Sequence, residues 1–200
     1  MKLAASRALY AYWSQMRGAR SAPERDDIDP GAIRGLLADT FILEFAPHSG
    51  FPFRIVGART GALFQRELRG EPFLALWRAR DRDEIRAVLA AVADEAQPFL
   101  IGASAAPEGV RPIDVEVLLL PLRHHGATHA RVLGCCAPGA APLWLGLLEV
   151  DGLALLTLRA LGRRDDDSMA TLDASAAAKD FGRAPQPIRR GAFFVHSPGR

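Results

Sequence analysis

Apolar positions Leu9, Tyr12, Trp13 and Met16 recur at three- and four-residue spacing, which predicts an amphipathic helix over residues 3–17, stopped by Gly18. The charged run 19–29, holding Pro23, reads as a linker. Asp29 followed by Pro30 is a helix-start pair, and it predicts a short helix ending near Ala38. The period then changes to two. Phe41, Leu43 and Phe45 alternate with Ile42 and Glu44, and Phe51, Phe53 and Ile55 alternate around Arg54, with the turn His48-Ser49-Gly50 between them. These are two strands of an antiparallel hairpin.

Thr60 is placed to cap a short helix carrying Leu63, Phe64 and Leu68, closed by Gly70, and Phe73, Leu74 and Trp77 form another apolar turn. The clearest helix runs from Asp81 to Gln97, where Ile85, Val88, Leu89 and Val92 make one stripe and Asp81 with Glu84 has capping-box spacing. Three strands follow, over 99–105, 113–122 and 130–137. In the second, Asp114 and Glu116 alternate with Ile113, Val115 and Val117 before the run turns fully apolar, as a central strand covered on both faces does. Asp151-Gly152, between Leu147-Leu148 and Leu153 to Leu155, signals a further hairpin. Beyond Gly162 an acidic triplet, alanine-rich sequence and scattered prolines predict a flexible, solvated tail, with Arg189 to Val195 its one sticky segment.

A hairpin, then helices, then a three-stranded meander gives an α+β layer: a five-stranded antiparallel sheet with its helices on one face. That order, together with the run from Phe53 to Gly70 (FRIVGARTGALFQRELRG), resembles a bacterial family of small stand-alone PAS-domain proteins. The similarity extends to Leu9-Tyr10-Ala11-Tyr12-Trp13, Ala22-Pro23, Asp27-Ile28-Asp29-Pro30, Phe73-Leu74-Ala75-Leu76-Trp77, Leu118 to Leu122 and Pro142-Leu143-Trp144-Leu145-Gly146, over roughly residues 9–161. The expected organisation is an N-terminal flanking helix and linker over 1–29, a PAS-like domain over 30–161 and a tail over 162–200.

The resemblance implies a signalling or regulatory domain without catalysis, acting through a regulatory protein partner or a homodimer. The alternative is a small-molecule sensor with an occupied pocket, and a third reading is an uncharacterised enzyme, which would need Arg59 in a tight cavity with His or acid groups. A PAS pocket lies between sheet and helices, and Phe53, Phe64, Trp77, Leu89, Ile101 and Val117 are the candidates to line it; the competing expectation is that they simply fill the core. Arg59, at the start of a helix after a strand, is a candidate receiver for an acidic group, against pairing with Glu67 or solvent. Leu9, Tyr12, Trp13 and Met16 are the candidate partner-binding stripe; they lie either on the open face of the sheet or on a second copy.

Cofactor requirements narrow the picture. Haem needs an axial ligand, and no His stands between Ser49 and Gly109. The flavin-linked photosensor class carries a reactive Cys in the short helix after the second strand, where this chain has Gly61, Ala62 and Leu63. Neither cofactor is expected. His124, His125 and His129 read as a solvated loop rather than a metal site, for want of a nearby Cys or acid.

Charge and composition exclude more than they assign. The 200 residues carry a formal +2, all of it in the tail, so the folded part has no basic face of the kind that binds nucleic acid. Adjacent Cys135 and Cys136 cannot build a disulfide framework, which fits a cytoplasmic protein, and no stretch predicts a membrane span. The sequence holds no phosphate-binding glycine loop, nucleophile elbow or His-Glu-x-x-His motif.

Overall fold

The computed structural model describes residues 1–125 and 127–162, with side chains at all of these except 127–129. The predicted tail from residue 163, with the Arg189–Val195 segment, lies outside the described residues, as does the side chain of His129. The elements are α1 (Ala4–Arg17), β1 (Thr40–Glu44), β2 (Phe53–Val56), α2 (Ala58–Phe64), α3 (Arg82–Asp94), β3 (Phe99–Ala105), β4 (Ile113–His124), β5 (Ala127–Pro138) and β6 (Ala154–Ala160). All strands join one antiparallel sheet in the order β2-β1-β5-β4-β3-β6.

The period-two alternation divides the apolar side chains between two cores. Phe41, Leu43, Phe53, Ile101, Val115, Val117, Leu119, Val132 and Cys136 bury on the inner face against α2, α3 and the turn around Phe73 to Trp77. Ile42, Leu100, Leu118, Leu120, Leu122, Leu133 and Cys135 bury on the outer face, against Leu9, Tyr10 and Trp13 of α1. The fully apolar stretch of β4 is therefore covered on both sides, as expected. Two glycines allow close approach: a Cβ at Gly134 would lie 2.1 Å from the Phe41 ring, and one at Gly57 would lie 2.2 Å from the Leu37 carbonyl oxygen.

The sheet has six strands rather than five. No hairpin forms about Asp151-Gly152, because the segment before it is not extended: the N–H of Leu145 bonds to the carbonyl of Pro142, those of Leu147 and Leu148 to that of Trp144, and Gly146 turns at φ 82°. With no strand beside it, β6 pairs along the free edge of β3 from Ala160 opposite Phe99 to Ala154 opposite Ser104. The short helix expected from Asp29-Pro30 is a series of turns with three-residue hydrogen bonds (Ile33 to Leu36, Leu36 to Asp39), across a stretch that contains Gly31 and Gly35. In the first hairpin Leu43 faces Phe53 and Ile42 faces Ile55, so Arg54 is an extra residue. That bulge turns Ile55 away from the inner core and puts Val56 against it.

Asp81 also departs from its expected role. It makes no side-chain cap on α3; its carboxylate instead accepts the N–H of Leu155 at 3.0 Å, holding the start of β6. Asp81→Ala should lower stability by about 1–2 kcal/mol and speed hydrogen exchange at Leu155 selectively. An unchanged Leu155 amide would show that β6 is held without it.

Candidate functional site

The six apolar candidates for a pocket come together in the inner core and are all buried there. Aromatic rings run through it in contact, Phe41 to Phe53 at 5.4 Å, Phe53 to Phe73 at 5.7 Å and Phe73 to Trp77 at 6.0 Å between centroids. These are favourable edge-on spacings of a packed core. One polar atom in it is unmatched: the buried Trp77 Nε1 has no hydrogen-bond partner among the described residues. On α2, Leu63 is buried beside Gly61 and Ala62, so the helix after β2 has no thiol to offer a flavin. His124 and His125 stand at the β4–β5 tip with rings 4.0 Å apart, and no group of three or more metal-ligating side chains occurs among the described residues.

Arg59 does not join the other candidates. Its guanidinium donates to Asp39 Oδ2 at 2.5 Å rather than reaching Glu67. The pair is lopsided: the Asp39 side chain is 4% exposed and that of Arg59 48%. Asp39 is also a backbone junction, its carbonyl accepting the Cys136 N–H at 2.8 Å and the Thr60 hydroxyl at 3.3 Å. Its other carboxylate oxygen, Oδ1, is buried without a partner among the described residues. Sequence pattern gave no sign of this buried acid, because it stands among turns without periodicity.

Beside Asp39, burial pushes the Cys136 thiol from 9.0 up to about 12, and Asp39 adds to the effect. Cys135 is raised further, by burial first and then by Cys136 and Asp39. A thiol that ionises more readily unfolded than folded contributes stability below pH 9, lost as pH rises through 9 towards 12. Alkylation of the native protein at pH 8 should run at least about 100-fold slower than after denaturation. Comparable rates would mean that β5 opens readily.

The N-terminal helix docks on its own sheet. The buried face is Ser6, Leu9, Tyr10 and Trp13, rotated from the stripe the spacing suggested. Leu9 and Trp13 are fully buried, whereas Tyr12 and Met16 lie at the flank, partly exposed. Tyr12 is drawn aside because its hydroxyl accepts the Asp29 N–H at 2.8 Å. Trp13 Nε1 donates to the Pro121 carbonyl at 2.9 Å, and Glu116 accepts the N–H groups of Lys2 at 2.6 Å and Leu3 at 3.1 Å. While α1 stays docked, Leu9 and Trp13 of the candidate partner stripe face the sheet, not a second molecule.

The uncovered apolar surface is elsewhere. In the turns between β5 and β6, Leu143 is 95% exposed, Leu147 75% and Leu148 47%. Trp144 and Leu145, which lie between them in sequence, pack on the inner core and anchor the segment. The Val150 N–H bonds to the Leu63 carbonyl, which ties the end of the turn to α2, and exposed Glu149 approaches Arg66 at 3.6 Å. Periodicity reads this stretch only as apolar. Which leucines face water is set by the turn at Gly146 and the anchor at Trp144.

No helix among the described residues is long and apolar enough to cross a membrane. Among solved structures, a variant of RsLOV shares 12% identity at a TM-score of 0.43, over 56% of this chain and 68% of that one. A LOV protein of Rhodobacter sphaeroides shares 12% at 0.42, over 59% and 73%. An RNA-binding light-oxygen-voltage receptor shares 14% at 0.41, over 74% and 37%. No curated protein matches. A family model described as PAS domain matches residues 1–137, from α1 through the inner helices to β5, and the chain belongs to that family.

Proposed function

We propose that this PAS domain is a regulatory module that acts by protein contact, without catalysis of its own, and that the Leu143–Leu148 turn is its contact surface. PAS membership supports a signalling or regulatory role. The observation that carries the choice of surface is the exposure of Leu143, Leu147 and Leu148 on a turn anchored from beneath by Trp144 and Leu145. Large apolar side chains held out in water by a fixed backbone are a binding surface in waiting, each contributing about 1.5–3 kcal/mol when fully buried. Glu149 and the exposed Asp151 rim the patch, so a fitting partner carries apolar side chains next to basic ones.

The test is affinity capture followed by titration of the recovered partner in pure form. Leu143→Asp/Leu147→Asp should weaken binding more than tenfold at an unchanged thermal midpoint. Undiminished affinity would remove the turn as the contact surface.

Small-ligand sensing is a second reading, favoured by the unmatched Trp77 Nε1 in the inner core. A buried indole N–H left without an acceptor costs about 1–3 kcal/mol, which a bound acceptor would recover. Native mass spectrometry should then show an added mass that Trp77→Phe diminishes; an apo mass in both proteins counts against sensing.

A further inference from the structure

We infer that the segment Arg189–Val195 of this same chain docks on the Leu143–Leu148 turn and competes there with the partner, an inference that rests on the contact-surface reading above. Three observations select this occupant. The turn holds three exposed leucines with nothing described over them. Beyond Gly162 the sequence offers one run of bulky apolar neighbours, Phe193-Phe194-Val195. The charges next to the two segments are opposite: Arg189 and Arg190 precede the phenylalanines, whereas Glu149 and Asp151 follow the leucines. Glu149 has its side chain 57% exposed and only a 3.6 Å contact with Arg66, so it remains open to a further guanidinium.

The tether makes the contact effective. Twenty-six residues lie between Gly162 and Arg189, and a link of that length can reach at most about 90 Å, more than a domain of this size requires. Short tethers of this kind present a segment at an effective concentration on the order of 1 mM. A segment whose own affinity is about 100 μM would then cover the turn roughly ten times in eleven, and weaken partner binding about tenfold. The turn becomes available when the partner displaces the segment, or when negative charge added near Arg189 and Arg190 cancels their attraction to Glu149 and Asp151.

Hydrogen exchange at the amides of residues 143–148 in the full chain tests this without a partner. Phe193→Asp/Phe194→Asp should speed their exchange at least fivefold at an unchanged thermal midpoint, equally at low and tenfold higher protein concentration. Arg189→Glu/Arg190→Glu should do the same, and adding Glu149→Arg/Asp151→Arg should restore protection. Identical exchange in wild type and the phenylalanine variant overturns the docking. Protection that grows with concentration also overturns it, since the cover is then a second copy. If exchange is indifferent to the tail while Leu143→Asp/Leu147→Asp still releases the partner, this inference fails and the contact-surface reading stands. If exchange responds but the leucine variant keeps its partner, the docking stands and the contact-surface reading fails.

Discussion

Trp13→Ala should lower the stability of the domain by about 3–5 kcal/mol and release α1 from the sheet. The indole is fully buried in the outer core, its N–H satisfies the Pro121 carbonyl at 2.9 Å, and the Arg17 guanidinium lies 4.9 Å from the ring centre. Truncation removes all three contacts at once and leaves a cavity between Leu9, Tyr10 and the sheet. The cost reaches beyond the helix, because α1, together with Ala22, Ile28 and Ile33, closes the outer core over Leu118, Leu120, Leu122 and Leu133. An apolar sheet face opened to water associates with another. Denaturant unfolding should show the lower midpoint, and sedimentation should show concentration-dependent association of the folded variant. Trp13→Phe keeps most of the packing and loses the hydrogen bond, so it should cost about 1–2 kcal/mol. A monomeric alanine variant within 1 kcal/mol of wild type would mean that α1 contributes little to the outer core.

The second large effect is expected at Arg59. Removing its guanidinium leaves Asp39, a carboxylate buried to 4% exposure, with neither oxygen partnered by the described residues. Breaking a buried ion pair from one side costs about 3–5 kcal/mol. Here half of the arginine side chain is in water, which screens the pair, so Arg59→Ala should cost about 2–4 kcal/mol. The damage should localise where Asp39 ties β5 to α2, through the Cys136 N–H and the Thr60 hydroxyl. Adding Asp39→Asn to the variant removes the stranded charge and should recover more than half of the loss. If the double variant is no more stable than the single one, the buried charge is not the source of the cost.

How far the fold was legible follows from where periodicity exists. The stripe of α3 was legible from helical spacing alone, and β4 declared both its faces through Asp114 and Glu116 followed by an apolar run. The order of those elements implied the layered arrangement, and the resemblance agreed with it. Signals of one or two residues misled. Asp29-Pro30 opened turns instead of a helix, since Gly31 and Gly35 make helix costly there. Asp151-Gly152 failed as a hairpin because Pro142 and Gly146 had already bent the preceding leucines out of strand geometry. Arg54, read as the polar member of an alternating strand, was a bulge that exchanged the faces of Ile55 and Val56. That Phe53, Phe64, Trp77, Leu89, Ile101 and Val117 would share one core was legible, because one side of each strand and helix must meet there. The Asp39–Arg59 pair and the exposed leucines were not, because both depend on where non-periodic segments cross the elements.

The account stands on the Leu143–Leu148 turn being the surface that meets another protein. A photo-crosslinking amino acid placed in the full chain at Leu147 in living cells tests this directly, with the exposed Leu37 as the comparison position. The account predicts a discrete adduct with a second protein from position 147 and none of that mass from position 37. Adducts of the same identity and yield from both positions, or none from 147, would contradict it.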